Sequence, residues 1–178
     1  MHRHLTHFFL LLGCTVLLGA CGFQLRGVGD NTTSLPEDWK TMHLATGNPN
    51  SELSREVNTR FAAHGVQWTE SNTANYTVRL GSEQFSQRNL SLNSEARAAE
   101  LELTMSAQFA VVDADKTEVI ETTNVSVIKQ MENDPRNVVG KAEEVRLLKS
   151  EMRVELAQKI MRRIGFFANS TQPPASTP

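Results

Sequence analysis

The chain has 178 residues, 39% of them hydrophobic and 21% charged, and its 18 basic and 20 acidic side chains leave a net charge of −2. That is the composition of a soluble globular domain with room for one proper core. The slight acidic balance excludes a nucleic-acid footprint, which needs a basic surplus. Any anionic ligand has to be met by a local basic cluster, because global charge will not steer it.

Arg3, with His2, His4 and His7, gives the chain a positively charged start, and an apolar run of 12 residues follows from Phe8 to Gly19. The run fits the core of a signal peptide, at ~7–15 residues, and is too short to cross a bilayer as a helix, which takes ~20. It ends in Leu18-Gly19-Ala20-Cys21, which resembles the bacterial lipoprotein box. That resemblance implies a signal peptide over residues 1–20, cleavage before Cys21, an S-diacylglycerol group on its thiol and an N-acyl group on its new amine. No other cofactor is expected. Three acyl chains hold a protein durably, where one myristoyl chain binds only marginally. By the same resemblance Gly22, standing where an aspartate in enterobacterial lipoproteins favours inner-membrane retention, permits transport to the outer membrane. The mature chain then has 158 residues and a charge of about −3, and Cys14 leaves with the signal. With one cysteine left, and that one modified, a disulfide framework and cysteine-based zinc sites are excluded.

Gly27 to Asp38 is rich in turn residues and is expected to be a spacer between anchor and domain. Lys40 to Ala45 alternates as a short strand with Met42 and Leu44 on one face, and Gly47-Asn48-Pro49-Asn50 breaks it. Ser51 is a good N-cap, with Glu52 in the first turn. Leu53, Val57, Phe61 and His64 follow at helical spacing, and Gly65 closes the helix. His64 suits the dipole at that end and needs no ligand role. In the polar connection from Val66 to Asn75, Trp68 is expected to pack back on the core. Tyr76, Val78 and Leu80 mark a second strand that Phe85 extends, and the polar run from Ser86 to Ala98 suggests a long hairpin end.

Glu100 to Val112 carries the strongest strand signal. Leu101, Leu103, Met105, Ala107, Phe109 and Val111 face one way, while Glu100, Glu102, Thr104, Ser106 and Gln108 face the other. Such alternation predicts an antiparallel sheet with one buried and one polar face. Asp113 to Lys116 is a turn without calcium-loop spacing, so no metal site is expected there. Thr117 to Met131 is β-branched, with Val119, Thr123, Val125 and Val127 on one face. Asn133-Asp134-Pro135 opens a last helix whose apolar stripe is Val138, Ala142, Val145, Leu148 (or Lys149), Met152, Leu156 and Ile160. The helix is expected to end at Gly165 behind Lys159, Arg162 and Arg163. Phe166 and Phe167 are expected to fold back on the sheet, and residues 168–178 to form a disordered tail. The fold expected is α+β: one domain over residues 21–167, with two helices on one face of a four-stranded sheet, in the order βαβββα.

Little in the chain suggests an enzyme. G-x-S-x-G, H-E-x-x-H, P-loop and G-x-G-x-x-G motifs are missing, and the mature chain has only His43 and His64. What remains is polar surface and a few bases. The stripe from Glu100 to Gln108 suits either solvent or a polar lumen or partner. Arg136, Lys141, Arg146 and Lys149 along the last helix suit either phosphates or, with Glu143, Glu144 and Glu151 among them, an ordinary solvated face.

The opening Cys21-Gly22-Phe23-Gln24-Leu25-Arg26 resembles that of the LptE family of LPS-assembly lipoproteins. Gly47-Asn48-Pro49-Asn50 before Leu53-Ser54-Arg55, then Arg79-Leu80-Gly81, and Asn133-Asp134-Pro135 extend the likeness in order and spacing from Cys21 to Phe167. It implies an outer-membrane lipoprotein, facing the periplasm and the lumen of the LptD β-barrel, that plugs the barrel and assists its assembly. It also implies binding of lipopolysaccharide (LPS) and its delivery to the outer leaflet, with no reaction catalysed. Family members are thought to meet LPS through bases near the start of the last helix and near the loop between the second and third strands. The first corresponds to Lys141. At the second, Ser94 stands where a relative has arginine, with Arg88 and Arg97 close by. The alternative is an accessory lipoprotein of another periplasmic machine, such as a peptidoglycan-synthase activator or an auxiliary subunit of a lipid-trafficking ABC system.

Overall fold

The computed structural model describes residues 35–92, 98–133 and 138–171. The expected signal peptide, Cys21, Arg97, Arg136 and residues 172–178 of the expected tail lie outside these. In chain order the elements are a 3-10 turn at Glu37–Lys40, β1 (Thr41–Thr46), α1 (Glu52–Ala63), β2 (Gln67–Trp68), β3 (Tyr76–Leu80), β4 (Gln84–Leu92), β5 (Ala98–Asp113), β6 (Glu118–Glu132) and α2 (Val138–Ser170).

The alternation in β5 has the effect expected of it. Leu101, Leu103, Met105, Ala107, Phe109 and Val111 are all buried, and β6 adds Val125, Val127 and Met131. These residues pack with Leu53, Val57 and Phe61 of α1 and with Met152, Leu156, Ile160 and Ile164 of α2, so both helices lie on one face of the sheet. The lengths match: at ~3.3 Å per strand residue β5 runs roughly 50 Å, and at ~1.5 Å per helical residue so does α2. No described helix is long and apolar enough to cross a membrane.

The sheet order explains the strand count. β3 pairs with the C-terminal part of β5 (Tyr76 opposite Asp113, Leu80 opposite Phe109), and β4 continues along the same edge (Gln84 opposite Ser106, Leu92 opposite Ala98). β3 and β4 are thus one interrupted strand. With β1, β5 and β6 they make the four principal strands, to which β2 adds two residues. The break falls at Gly81, whose N–H donates to the Gln108 carbonyl at 2.8 Å. A Cβ there would stand 3.2 Å from that same oxygen, so the close approach favours glycine.

Four expectations need correction. The hairpin end is shorter than Ser86–Ala98, because Ser86 to Leu92 belong to β4. Most of β4 is exposed on both faces, so it carries no apolar alternation to betray it. The sheet is mixed: β1 and β3 are parallel, joined by the α1 crossover. The supposed spacer ends earlier, because Leu35 and Trp39 are core residues. Trp39 is 3% exposed and stacks on Tyr76 with ring centroids 3.8 Å apart. Finally, α2 runs through Gly165 to Ser170. Ile164 and Ala168, one turn apart, are both fully buried, and their packing outweighs the ~1 kcal/mol that a glycine costs inside a helix. Ala168 to Ser170 therefore belong to the helix. Phe167 lies in its last turns against Trp39 at 6.0 Å, while Phe166 is 77% exposed.

One polar side chain ties the layers together. Arg153 on α2 reaches Glu83, in the β3–β4 break, through two hydrogen bonds of 2.7 and 2.8 Å, and also pairs with Glu52 at the start of α1. The Glu83 carboxylate, with Glu52 behind it, raises the Arg153 pKa above its usual value. Sequence gave little warning of this, because the partners lie far apart along the chain.

The packing makes a direct prediction. Leu156 is fully buried between α2 and the sheet, so Leu156→Ala should cost about 2–5 kcal/mol in urea unfolding. A loss well under 1 kcal/mol would mean that α2 does not pack there.

Candidate functional site

The hairpin joining β4 to β5 and the first turn of α2 share one end of the domain. Beyond the last β5–β6 pair, Glu100 opposite Glu132, the Asn133 N–H still donates to the Ala99 carbonyl at 2.8 Å. Val138 begins α2 five residues later. The described end of β4 and the start of α2 therefore lie toward the same pole, while Ser94 and Arg97 fall outside the described residues.

The bases at that pole differ in what they already hold. Arg88 lies on β4 directly opposite Glu102 and grips it with both ends of the fork, Nε–Oε1 at 2.6 Å and Nη2–Oε2 at 3.1 Å. The hydrogen bond from Arg88 holds the Glu102 carboxyl below the usual carboxylate range, against a smaller opposing effect of burial. Arg88 is consequently exposed but offset. On α2, Arg146 is forked onto Glu143 at 2.9 and 2.7 Å. The Lys149 ammonium sits 3.9 Å from the centre of the Phe85 ring, a cation–π contact. Lys141 is partly buried and forms no ion pair among the described residues. Of these four bases, Lys141 is the one whose charge no described neighbour uses.

The second feature is the sheet face turned away from the helices. Its rows cross three strands: Arg88, Glu102 and Gln130; Ser86, Thr104 and Ile128; Gln84, Ser106 and Ser126. Seven of these nine side chains are uncharged, and Ile128 is the one large apolar side chain among them. Toward β1 the face dips into an open recess of about 440 Å³ bounded by Ala45, Gly81, Gln108 and Ala110 and by the Arg79–Glu118 ion pair at 3.2 Å. The arrangement offers a polar surface for contact. Among the described residues no group of three metal-ligating side chains comes together.

A two-helix layer on one side of a sheet, with a polar face bare on the other, defines a class of small bacterial lipoprotein domains. The structure is similar to that of rare lipoprotein B from Shewanella oneidensis, at 27% identity and a TM-score of 0.63, covering 69% of this chain and 92% of that one. Lipoprotein B of Nitrosomonas europaea shares the fold at a TM-score of 0.68 and 18% identity, over 84% of this chain and 94% of its own. The family model described as "LptE: Lipopolysaccharide-assembly" matches residues 39–164. The LPS-assembly lipoprotein LptE of Yersinia pestis is 30% identical over 166 residues, 92% of this chain and 76% of that protein. The protein of the same name from Photorhabdus laumondii is 28% identical over 165 residues, 92% of this chain and 86% of its own. The chain belongs to the LptE family of LPS-assembly lipoproteins.

The Arg88–Glu102 pair can be checked by titration. Because the folded carboxyl ionises more readily than an unfolded one, the pair adds stability above the usual carboxylate range and loses it as pH falls through the lowered value. Arg88→Ala should return the Glu102 midpoint, followed by carboxyl NMR, to the ordinary range. An unchanged midpoint would mean that the pair does not form in solution.

Proposed function

We propose that the chain is an outer-membrane lipoprotein held by N-acyl and S-diacylglycerol lipid at Cys21. Its domain sits as a plug in the lumen of the LptD β-barrel, assists assembly of that barrel, binds LPS and helps pass it to the outer leaflet. No chemical step is assigned to it. The bare polar sheet face carries this reading. Barrel lumens are polar, and a face on which serine, threonine and glutamine side chains and the paired Arg88 and Glu102 surround the single exposed Ile128 suits such a wall. Family membership supports the link to LPS assembly. An accessory role in another periplasmic machine gives that face no comparable use.

LPS carries phosphates, and the pole at the start of α2 is where this reading places them. Lys141, unpaired among the described residues, would contribute its ammonium, and Arg97 and Arg88 would contribute from the β4–β5 side. Because Arg88 is already forked onto Glu102, its share depends on the ligand competing with that carboxylate. Lys141→Gln should weaken LPS binding by the purified lipidated protein about tenfold, the worth of one charge-assisted hydrogen bond. Arg146→Gln, which removes a base already held by Glu143, should leave it nearly unchanged. Equal affinity of Lys141→Gln and the parent would remove Lys141 from the site, and no LPS binding by the parent would remove the site itself.

A further inference from the structure

At the opposite pole, the exposed side of α2's last turns carries a second set of bases that no role so far uses. Lys159, Arg162, Arg163 and Phe166 are all exposed. Their spacings of three and four residues put them on one helix face. Lys159 donates to the Ser126 carbonyl at 2.7 Å, at the outer edge of β6. Arg162 and Arg163 make no ion pair among the described residues. Phe166 projects between them at 77% exposure, the most exposed of the large apolar side chains described. A single exposed phenylalanine needs no explanation. Here it coincides with two arginines unpaired among the described residues and with the segment Leu35 to Trp39, the described part of the core nearest to Cys21 in sequence.

That coincidence follows from packing. Phe167, the next residue, rests on Trp39, and Trp39 lies four residues after Leu35. The core segment from Leu35 to Trp39 therefore reaches the end of α2. Cys21 is 14 residues before Leu35, and fully extended that stretch spans at most roughly 50 Å. An aromatic ring flanked by arginines is the pattern that settles at the headgroup level of an anionic leaflet: the ring enters the acyl boundary and the cations meet the phosphates.

We infer that the face formed by Arg162, Arg163 and Phe166 docks on the phospholipid leaflet that holds the acyl chains of Cys21, giving the domain a second membrane contact. The inference rests on the reading of Cys21 as the lipid anchor. It fixes the orientation of the domain: the end of α2 faces the leaflet and the pole carrying Lys141 points away from it.

The test uses the full lipidated chain reconstituted in vesicles of phosphatidylcholine, alone or with about one-third phosphatidylglycerol, part of the lipid being brominated. Phe166→Cys carrying an environment-sensitive fluorophore reports lipid contact at the patch. Leu147→Cys, on the same helix about 28 Å away by helical rise and 51% exposed, is the control. Quenching is expected at position 166 on the anionic vesicles and not at position 147. Arg162→Gln with Arg163→Gln should lower the ratio of docked to undocked protein on the order of 30-fold, about fivefold for each arginine. Equal quenching at both positions, or quenching at 166 indifferent to the arginines, overturns the docking surface. Flotation with the vesicles separates the two readings. Protein that floats unquenched at 166 keeps its anchor and loses the patch, and protein that does not float loses both.

Discussion

The one-sidedness of β5 is the constraint on which the rest of the structure depends. Six alternate side chains from Leu101 to Val111 are buried, and both helices have to lie over them. A register slip of one residue would bury Glu102, Thr104 and Ser106 and expose the core set, at a cost no other contact here offsets. The same alternation leaves the opposite face mostly polar from Glu100 to Gln108, around the exposed Ile128 of β6, and that face is the contact surface proposed above. Core and contact surface are two consequences of one sequence pattern. Arg153 adds precision: its hold on Glu83 and Glu52 fixes α2 against the strand break and against α1.

The length of that arrangement separates the two ends of the molecule. β5 and α2, each roughly 50 Å long, run between a pole that gathers the β4–β5 hairpin and the start of α2, and a pole that gathers Trp39, Tyr76 and the end of α2. The first carries the bases assigned to LPS. The second carries Leu35 and Trp39, the described core residues nearest to Cys21 in sequence. The LPS site proposed for the first pole and the leaflet contact inferred for the second would together polarise the domain along β5 and α2.

Much of this was legible in the sequence wherever burial repeats. The faces of β5, the capped helix from Ser51 to Gly65 and the stripe through Met152, Leu156 and Ile160 all follow from period alone. The signal weakened where burial is absent or non-local. β4 is exposed on both faces, so its polar sequence resembled a loop. Gly165 and the polar residues after Ala168 suggested a stop, but the contacts of Ile164, Phe167 and Ala168 carry the helix on. Leu35 inside the turn-rich segment and Trp39 just after it were hidden because single apolar residues have no period. For the candidate site, the positions of Lys141 and Arg88 came from family resemblance. Which charge is already occupied depends on partners such as Glu102 and Phe85, and that required the structure. Phe166 was expected to fold back, and its exposure emerged only once the helix was seen to continue.

The most direct test of the central claim, that the domain works inside a β-barrel, is co-purification of the tagged lipoprotein extracted in detergent from its native outer membrane. Recovery of one large β-barrel protein in equal amount is the result the account predicts. Recovery of a peptidoglycan synthase or a transporter subunit in its place would contradict it, and the assignment of Lys141 to LPS would fall with it.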